Sequence, residues 1–354
     1  MENSYSPPNK VGLVYDPIYL EHDTGNHVET SHRLIEIMSL LKNGGIPERT
    51  ISIPPRPASI DELLAAHSEK HIAHVKQVGQ RGGWLDADTI MSTSSYNTAL
   101  YAAGGLIEAV DAVWRGDVNS TFALIRPPGH HATQERAMGF CLFNNVAVAA
   151  KHALNKTDRV LIADFDVHHG NGTQDIFYDD PRVLYFSIHQ YPHYPGTGSI
   201  EETGTGAGEG TTVNAPLPGG CGDEEYIHLF NEILIPIAER FKPGLIMVSA
   251  GYDPHWADPL SSMQVTTTGF VTLARILNEL AGTLCQGKII FTLEGGYDLA
   301  AISQSIRATM DMLLGKAESK IDDPLGKPTL GNIPVNIEPL LHLMRQKHGL
   351  CSMI

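Results

Sequence analysis

The chain has 354 residues, 42% of them hydrophobic and 18% charged, with a formal net charge of -15 at pH 7. That is the composition of a globular protein with a sizeable core, and its acidity argues against general nucleic-acid binding, which needs stripes of Lys and Arg. No apolar run approaches the roughly 20 residues of a membrane span and the first residues lack a signal-peptide pattern, so a cytoplasmic protein with no membrane partner is expected.

In chain order, Lys10 to Asp16 alternates as a first strand, and His27 to Asn43 carries apolar residues at helical spacing until Gly44-Gly45 stops it. Ser59 followed by Glu62 predicts a capped helix running to Ala66, and Ser94 to Trp114 is a long helix of small residues suited to close packing on a sheet. Four apolar runs, 121–131, 159–170, 245–253 and 288–297, each stop at a polar cluster. Helices are predicted over Asn144–Leu154, Asp223–Phe241, Thr268–Leu284 and Leu299–Leu314. Strand regularly followed by helix predicts one α/β domain over 1–354, a central mainly parallel β-sheet with helices on both faces. Ile188 to Pro218, rich in Gly, Pro, Tyr and Thr, is read as a long loop with a short strand near its end. The first ten residues and the stretch after Lys316 are read as loosely structured. Cys141, Cys221, Cys285 and Cys351 lie far apart with no C-x-x-C, so reduced thiols are expected, and the final Cys351-Ser-Met-Ile lacks the polybasic segment of a prenylation signal.

In parallel sheets the site lies beyond the carboxyl ends of the strands. Asp164, Asp166 and His168 alternate, so they project the same way if the strand runs that far, and a carboxylate and an imidazole two residues apart can reach one cation. Asp253, at the end of another run, completes an Asp/His/Asp set that leaves a position open, as in a catalytic zinc site. Each aspartate alone reads equally well as a turn former; their joint occurrence carries the argument. His130-His131 follow the rigid turn Pro127-Pro128-Gly129, and metal-assisted hydrolysis needs a base for water and an acid for the leaving amine. Asp164 and Asn171 are the polar residues available to orient them.

The motifs IRPPGHHA, GFCLFNNVAVAA, DFDVHHGNGTQDIF, PGTG, SAGYD with ADPL, and LEGGYD resemble the zinc-dependent histone deacetylase and acetylpolyamine amidohydrolase superfamily, class II members and their prokaryotic relatives in particular. The resemblance spans residues 11–315, leaving 316–354 as an extension, and implies the arginase-deacetylase fold. It implies one catalytic Zn2+ per chain on Asp166, His168 and Asp253, His131 as general base and acid, and His130 as an electrostatic partner tied to Asp164. Tyr297, after Gly295-Gly296, would donate to the developing oxyanion. Asn171 stands where class I members carry aspartate, and a neutral partner stabilises imidazolium at His131 less, favouring a free base near neutral pH. A structural K+ is implied at Asp164 and Ser187 with the main-chain carbonyls of Asp166, His168 and Ile188.

Phe140 and Tyr194 match the aromatic walls of an acyl-lysine tunnel also lined by Gly139, and Asp88, in LDADT, is a candidate rim carboxylate. Leu260 stands where a polyamine-selective branch carries glutamate. The resemblance therefore implies an amidohydrolase removing acetyl or related acyl groups from lysine in proteins or peptides, with an acetylpolyamine hydrolase and an inactive acyl-lysine binder as alternatives. A binuclear arginase-type site is disfavoured, because Pro254-His255 follow Asp253 where that family continues with a second aspartate. Ser261-Ser262 replace the usual Gly-Gly, and His255 and Trp256 replace smaller residues and are expected to shape the tunnel mouth. Homo-oligomerisation is left open.

Overall fold

The computed structural model describes residues 10–316 and 335–350, together with 323, 325, 326 and 328. The expectations for residues 1–9 and for Cys351 and its three successors fall outside the described residues. The strands are β1 (Val11–Val14), β2 (Ile51–Ile53), the short pair β3 (Gly83–Trp84) and β4 (Ile90–Met91), β5 (Ser120–Ala123), β6 (Val160–Asp164), β7 (Val183–Gln190), β8 (Thr212–Leu217), β9 (Leu245–Ala250) and β10 (Ile289–Leu293). The α-helices are α1 (His32–Asn43), α2 (Ile60–Leu64), α3 (Glu69–Gly79), α4 (Ser95–Arg115), α5 (Asn145–Ala153), α6 (Asn171–Phe177), α7 (Asp223–Leu229), α8 (Ile235–Phe241), α9 (Thr267–Cys285), α10 (Leu299–Leu313) and α11 (Glu338–Lys347).

Eight strands form one sheet in the order β2-β1-β5-β10-β9-β6-β7-β8, every pairing parallel, while β3 and β4 make a separate antiparallel hairpin. Every residue of β5, β6, β9 and β10 is buried, which is why these segments read as unbroken apolar runs: a strand covered on both faces has no polar side to show. These four are the adjacent centre of the sheet. The polar clusters at their carboxyl ends are therefore brought side by side. Helices α4 and α5 pack on each other, as do α1, α10 and α9, and α4 and α9 both pack against the central strands. No helix of the described residues is long and apolar enough to cross a membrane.

Several boundaries differ from the sequence reading for local reasons. The first long helix starts at His32 instead of His27, because 27–31 form an irregular turn that carries Glu29 into the interior. The predicted Asp223–Phe241 helix is interrupted by a π-helical turn at Phe230–Leu234 just before Pro236, which cannot donate into an α ladder. Strand β7 extends to Gln190, into a stretch read as loop. The extension is not featureless: α11 buries Leu341 and Met344 against the Phe230–Leu234 turn, and Arg240 Nη1 donates to the His348 carbonyl at 2.8 Å.

Candidate active site

Strand β6 ends at Asp164, so Asp166 and His168 sit in the following loop and converge through its turn, not through strand alternation. Asp166 Oδ1 accepts the His168 N–H at 2.9 Å and lies 3.1 Å from His168 Nδ1, while Asp166 Oδ2 accepts the Gly295 N–H at 2.8 Å. Asp253, beyond β9, accepts the Val167 N–H through Oδ1 at 2.9 Å, and its Oδ2 stands 3.2 Å from His168 Nδ1. One ligand atom from each of the three buried residues lies within 4.8 Å of the others.

Three observations fit this cluster to a divalent cation. Asp253 Oδ2 is buried and, outside the cluster itself, meets no hydrogen-bond donor of the described residues; its near neighbour is His168 Nδ1. A Cβ on Gly295 would collide with the carboxylates of both Asp253 and Asp166, so the chain keeps space there that only glycine leaves. The electrostatics also demand positive charge: burial opposes protonation of His168, yet Asp166 and Asp253 override it and hold the imidazole up at about 10, while burial and Asp166 raise Asp253 to about 7. One imidazole and two carboxylates are a donor set suited to Zn2+.

The turn after β5 presents both histidines. His130 Nδ1 is 3.0 Å from Asp164 Oδ2, which also accepts the Tyr185 hydroxyl at 3.0 Å. Burial pushes His130 down, but Asp166 and Asp164 outweigh it and keep it charged, up at about 10. His131 Nδ1 is 2.9 Å from Asn171 Oδ1. The Asn171 amide nitrogen donates to the His131 carbonyl at 3.3 Å, which fixes its oxygen as acceptor and so places the proton on His131 Nδ1, leaving Nε2 with a free lone pair. Burial, then the positive charges of His130 and His168, push His131 well below its ordinary value.

A cavity of about 270 Å³ is lined by the buried His131 and His168 together with Tyr297, Asp88, Gly139, Phe140, Tyr194, Leu260 and His193. Tyr297 follows β10; its N–H donates to Asp258 Oδ2 at 2.6 Å and its ring lies 5.1 Å from the Arg33 guanidinium. A Cβ on Gly139 would enter the His131 ring, so glycine is what lets the wall approach that imidazole. His193 stacks on His168 at 5.1 Å and its Nε2 meets the Leu260 carbonyl at 3.0 Å. Ser187 pairs with Asp164 across β6 and β7, and its hydroxyl meets His189 Nδ1 at 2.9 Å; Ile188 follows in the same strand.

A family model described as the histone deacetylase domain matches residues 27–313. The chain belongs to the histone deacetylase family. It is similar to the protein named "Probable deacetylase" of Archaeoglobus fulgidus, 43% identical over 292 residues that cover 81% of each chain. It is also similar to "Histone deacetylase 10, chloroplastic" of Oryza sativa subsp. japonica, 41% identical over 325 residues, 86% of this chain and 73% of that one. The crystal structure of the HDA15 HD domain superposes with a TM-score of 0.86 at 36% identity, covering 96% of both chains.

Within this deacetylase-family fold, the mouth residues expected at His255 and Trp256 are a correction. Neither lines the cavity: His255 is fully buried, stacked on Phe270 and 3.5 Å from Asp323, because the loop after Asp253 turns inward onto α9. Ser261 and Ser262 act as tethers, Ser261 Oγ donating to the Asp253 carbonyl at 2.7 Å and Ser262 N–H to Gln190 Oε1 at 3.0 Å.

Five carboxyl and guanidinium groups, those of Glu29, Arg33, Arg126, Asp258 and Glu294, hold the candidate site in place and have no role assigned to them from the sequence. Glu294 accepts the Gly129 and His130 N–H groups at 2.7 and 3.2 Å and so ties β10 to the histidine turn. Arg33 donates to the Gly296 and Glu294 carbonyls at 2.7 and 2.5 Å. Glu29 pairs with Arg33 at 3.1 Å and with Arg126 at 2.5 Å, all three side chains fully buried. Asp258 also accepts the Asp298 and Leu260 N–H groups, so one carboxylate positions Tyr297 and Leu260 together. For Asp258 and Glu294 the strings ADPL and LEGGYD mark a carboxylate beside a turn but not what it binds; Glu29 and Arg33 carry no such mark.

Proposed function

We propose that this family member is a metal-dependent amidohydrolase that removes acetyl or related acyl groups from the ε-amine of lysine in proteins or peptides. The observation that carries the reading is the convergence of His131, His168 and Tyr297 on one cavity that Phe140 and Tyr194 also line. Such a slot takes a methylene chain between aromatic faces and stops at a polar end. Asp166, His168 and Asp253 would hold one Zn2+, which when bound supplies a Lewis acid for the acyl oxygen and makes water more acidic.

The chain's own residues account for the proton transfers. His131, neutral with Nε2 free, takes a proton from water as the water oxygen bonds to the acyl carbon. Asn171 keeps the other ring nitrogen protonated and oriented. As the C–N bond breaks, His131 returns the proton to the leaving amine, releasing a carboxylic acid and free lysine. His130, charged and paired with Asp164, favours the negative charge that develops nearby, and the Tyr297 hydroxyl donates to the oxygen bearing it. A structural K+ between Asp164 and Ser187 belongs to the same proposal; the Asp166 and His168 carbonyls accept no hydrogen bond from the described residues, as carbonyls turned toward a cation would. A cytoplasmic location is supported by the free, buried thiols of Cys141, Cys221 and Cys285, which suit a reducing compartment.

An acetylpolyamine substrate is the second reading, favoured by Asp88 on the cavity lining and by the acidity of the chain. Leu260 speaks against it, since no carboxylate stands there to pair with a distant ammonium. The test is turnover of an acetyl-lysine peptide and of N-acetylputrescine by zinc-loaded protein, each with and without a hydroxamate chelator. Hydroxamate-sensitive peptide turnover is expected. Preferential putrescine turnover would move the function to small cationic amides, and no hydrolysis of either beside measurable acyl-peptide binding would establish a binder.

A further inference from the structure

The wall residue Phe140 is held in an unfavourable backbone conformation. Gly139 and Phe140 have φ of 56° and 68°, and Met138 and Cys141 exchange main-chain hydrogen bonds around them at 3.2 and 3.0 Å. Positive φ at both central positions is the mirror-image hairpin turn, which suits Asn-Gly and penalises an aromatic residue. In such a turn the N–H of the second central residue finds no partner inside the turn. Here Phe140 N–H donates to Thr89 Oγ1 at 3.1 Å, across 51 residues of sequence.

Thr89 is itself fixed. It is fully buried at the end of the turn joining β3 to β4, its carbonyl accepts the Leu85 N–H at 2.9 Å, and its N–H donates to Asp86 Oδ1 at 2.8 Å. Its hydroxyl oxygen lies 3.5 Å from Asp88 Oδ1, so one side chain stands between the rim carboxylate and the wall. The Phe140 ring is then caged edge-on by His27 at 4.6 Å and Tyr297 at 5.9 Å, contacts that hold only while the strained backbone does.

The geometry points to Thr89 as a positioning residue that clamps Phe140 against the cavity and so sets the preference for substrates with a long unbranched chain. This rests on the amidohydrolase reading for the use of the cavity, but not for the clamp itself. Thr89→Val preserves shape and removes the hydroxyl; Thr89→Ser keeps the hydroxyl. In metal-loaded protein, titration with a hydroxamate on a linear hexyl chain should weaken about tenfold in Thr89→Val, the equivalent of one lost hydrogen bond, while acetohydroxamate binding stays unchanged and Thr89→Ser restores the difference.

Equal weakening of both ligands, or of neither, overturns the proposal. Amide hydrogen exchange gives an arm that needs no ligand: the Phe140 N–H should be protected in the native protein and in Thr89→Ser and exchange fast in Thr89→Val. Unchanged exchange overturns the clamp. If the native protein binds neither hydroxamate while the exchange pattern holds, the amidohydrolase reading fails and the clamp stands.

Discussion

Asn171 governs His131 by its lack of charge, and that makes a signed prediction. A carboxylate in its place would favour the imidazolium, so Asn171→Asp should raise the pKa of His131. As the proposed general base, His131 would work only when neutral, so activity would be lost as pH falls through that pKa. The acid limb of kcat/KM should therefore move to higher pH by about one to three units, read from a pH–rate profile. Tyr297→Phe keeps the ring against Phe140 and Arg33 but removes the hydroxyl, and should lower turnover about 100- to 1000-fold with metal content unchanged, measured by atomic absorption beside the assay. At this scale Asp166, His168 and Asp253 were legible because each closes an apolar run, where a polar side chain needs a reason. Glu29, Glu294 and Asp258 were not, because a buried carboxylate and a solvated one look alike in a single sequence until the guanidinium or N–H that satisfies it is seen.

The irregular turn at 27–31 shows what an element boundary can carry. Helix α1 begins late so that Glu29 can lie between Arg33 and Arg126, and these in turn hold the carbonyls of the Tyr297 loop and of the Tyr19–His22 segment. Glu29→Gln leaves two buried guanidinium groups without the carboxylate that pairs with both, and should cost about 3–5 kcal/mol, seen as a lower urea midpoint. The four central strands were readable from their apolar runs, and Ser59 and Glu62 form the capping box expected of them. Helix α3 was missed because its polar residues outnumber a narrow stripe of Ile72, Val75 and Val78 with His71 beside it. The alternation puts Asp164, Asp166 and His168 on one face only if β6 runs to His168; it ends four residues short, because the backbone turns toward the site while Phe165 and Val167 continue the apolar alternation.

Across the whole molecule, burial keeps several histidines neutral. His22 is lowered to about 4, His67 to about 3 and His189 to about 4, and His169 is pushed well below its ordinary value. An unfolded histidine titrates near 6.5, so below that pH the unfolded chain takes up protons that these sites refuse. Folded stability from them is complete above pH 7 and is lost as pH falls, by about 4 kcal/mol for His22, His67 and His189 together between pH 7 and 5.5, with His169 acting in the same direction. Urea unfolding at stepped pH should show the midpoint falling over that window; a flat midpoint would mean the rings protonate in place.

The strand order carries a consequence for how the protein is born. β9 and β10, the last strands made, fill the centre of the sheet between β5 and β6, which are complete long before them. A nascent chain that stops short of Leu245 therefore exposes two interior edges about 14 Å apart, three strand spacings, with no strands yet to bridge them. It also lacks Asp253 and Tyr297. Such a chain is a template for pairing with its neighbours on the ribosome and carries only two of the three residues proposed to hold a metal, so a metal held by all three would report that synthesis has entered the last third of the molecule.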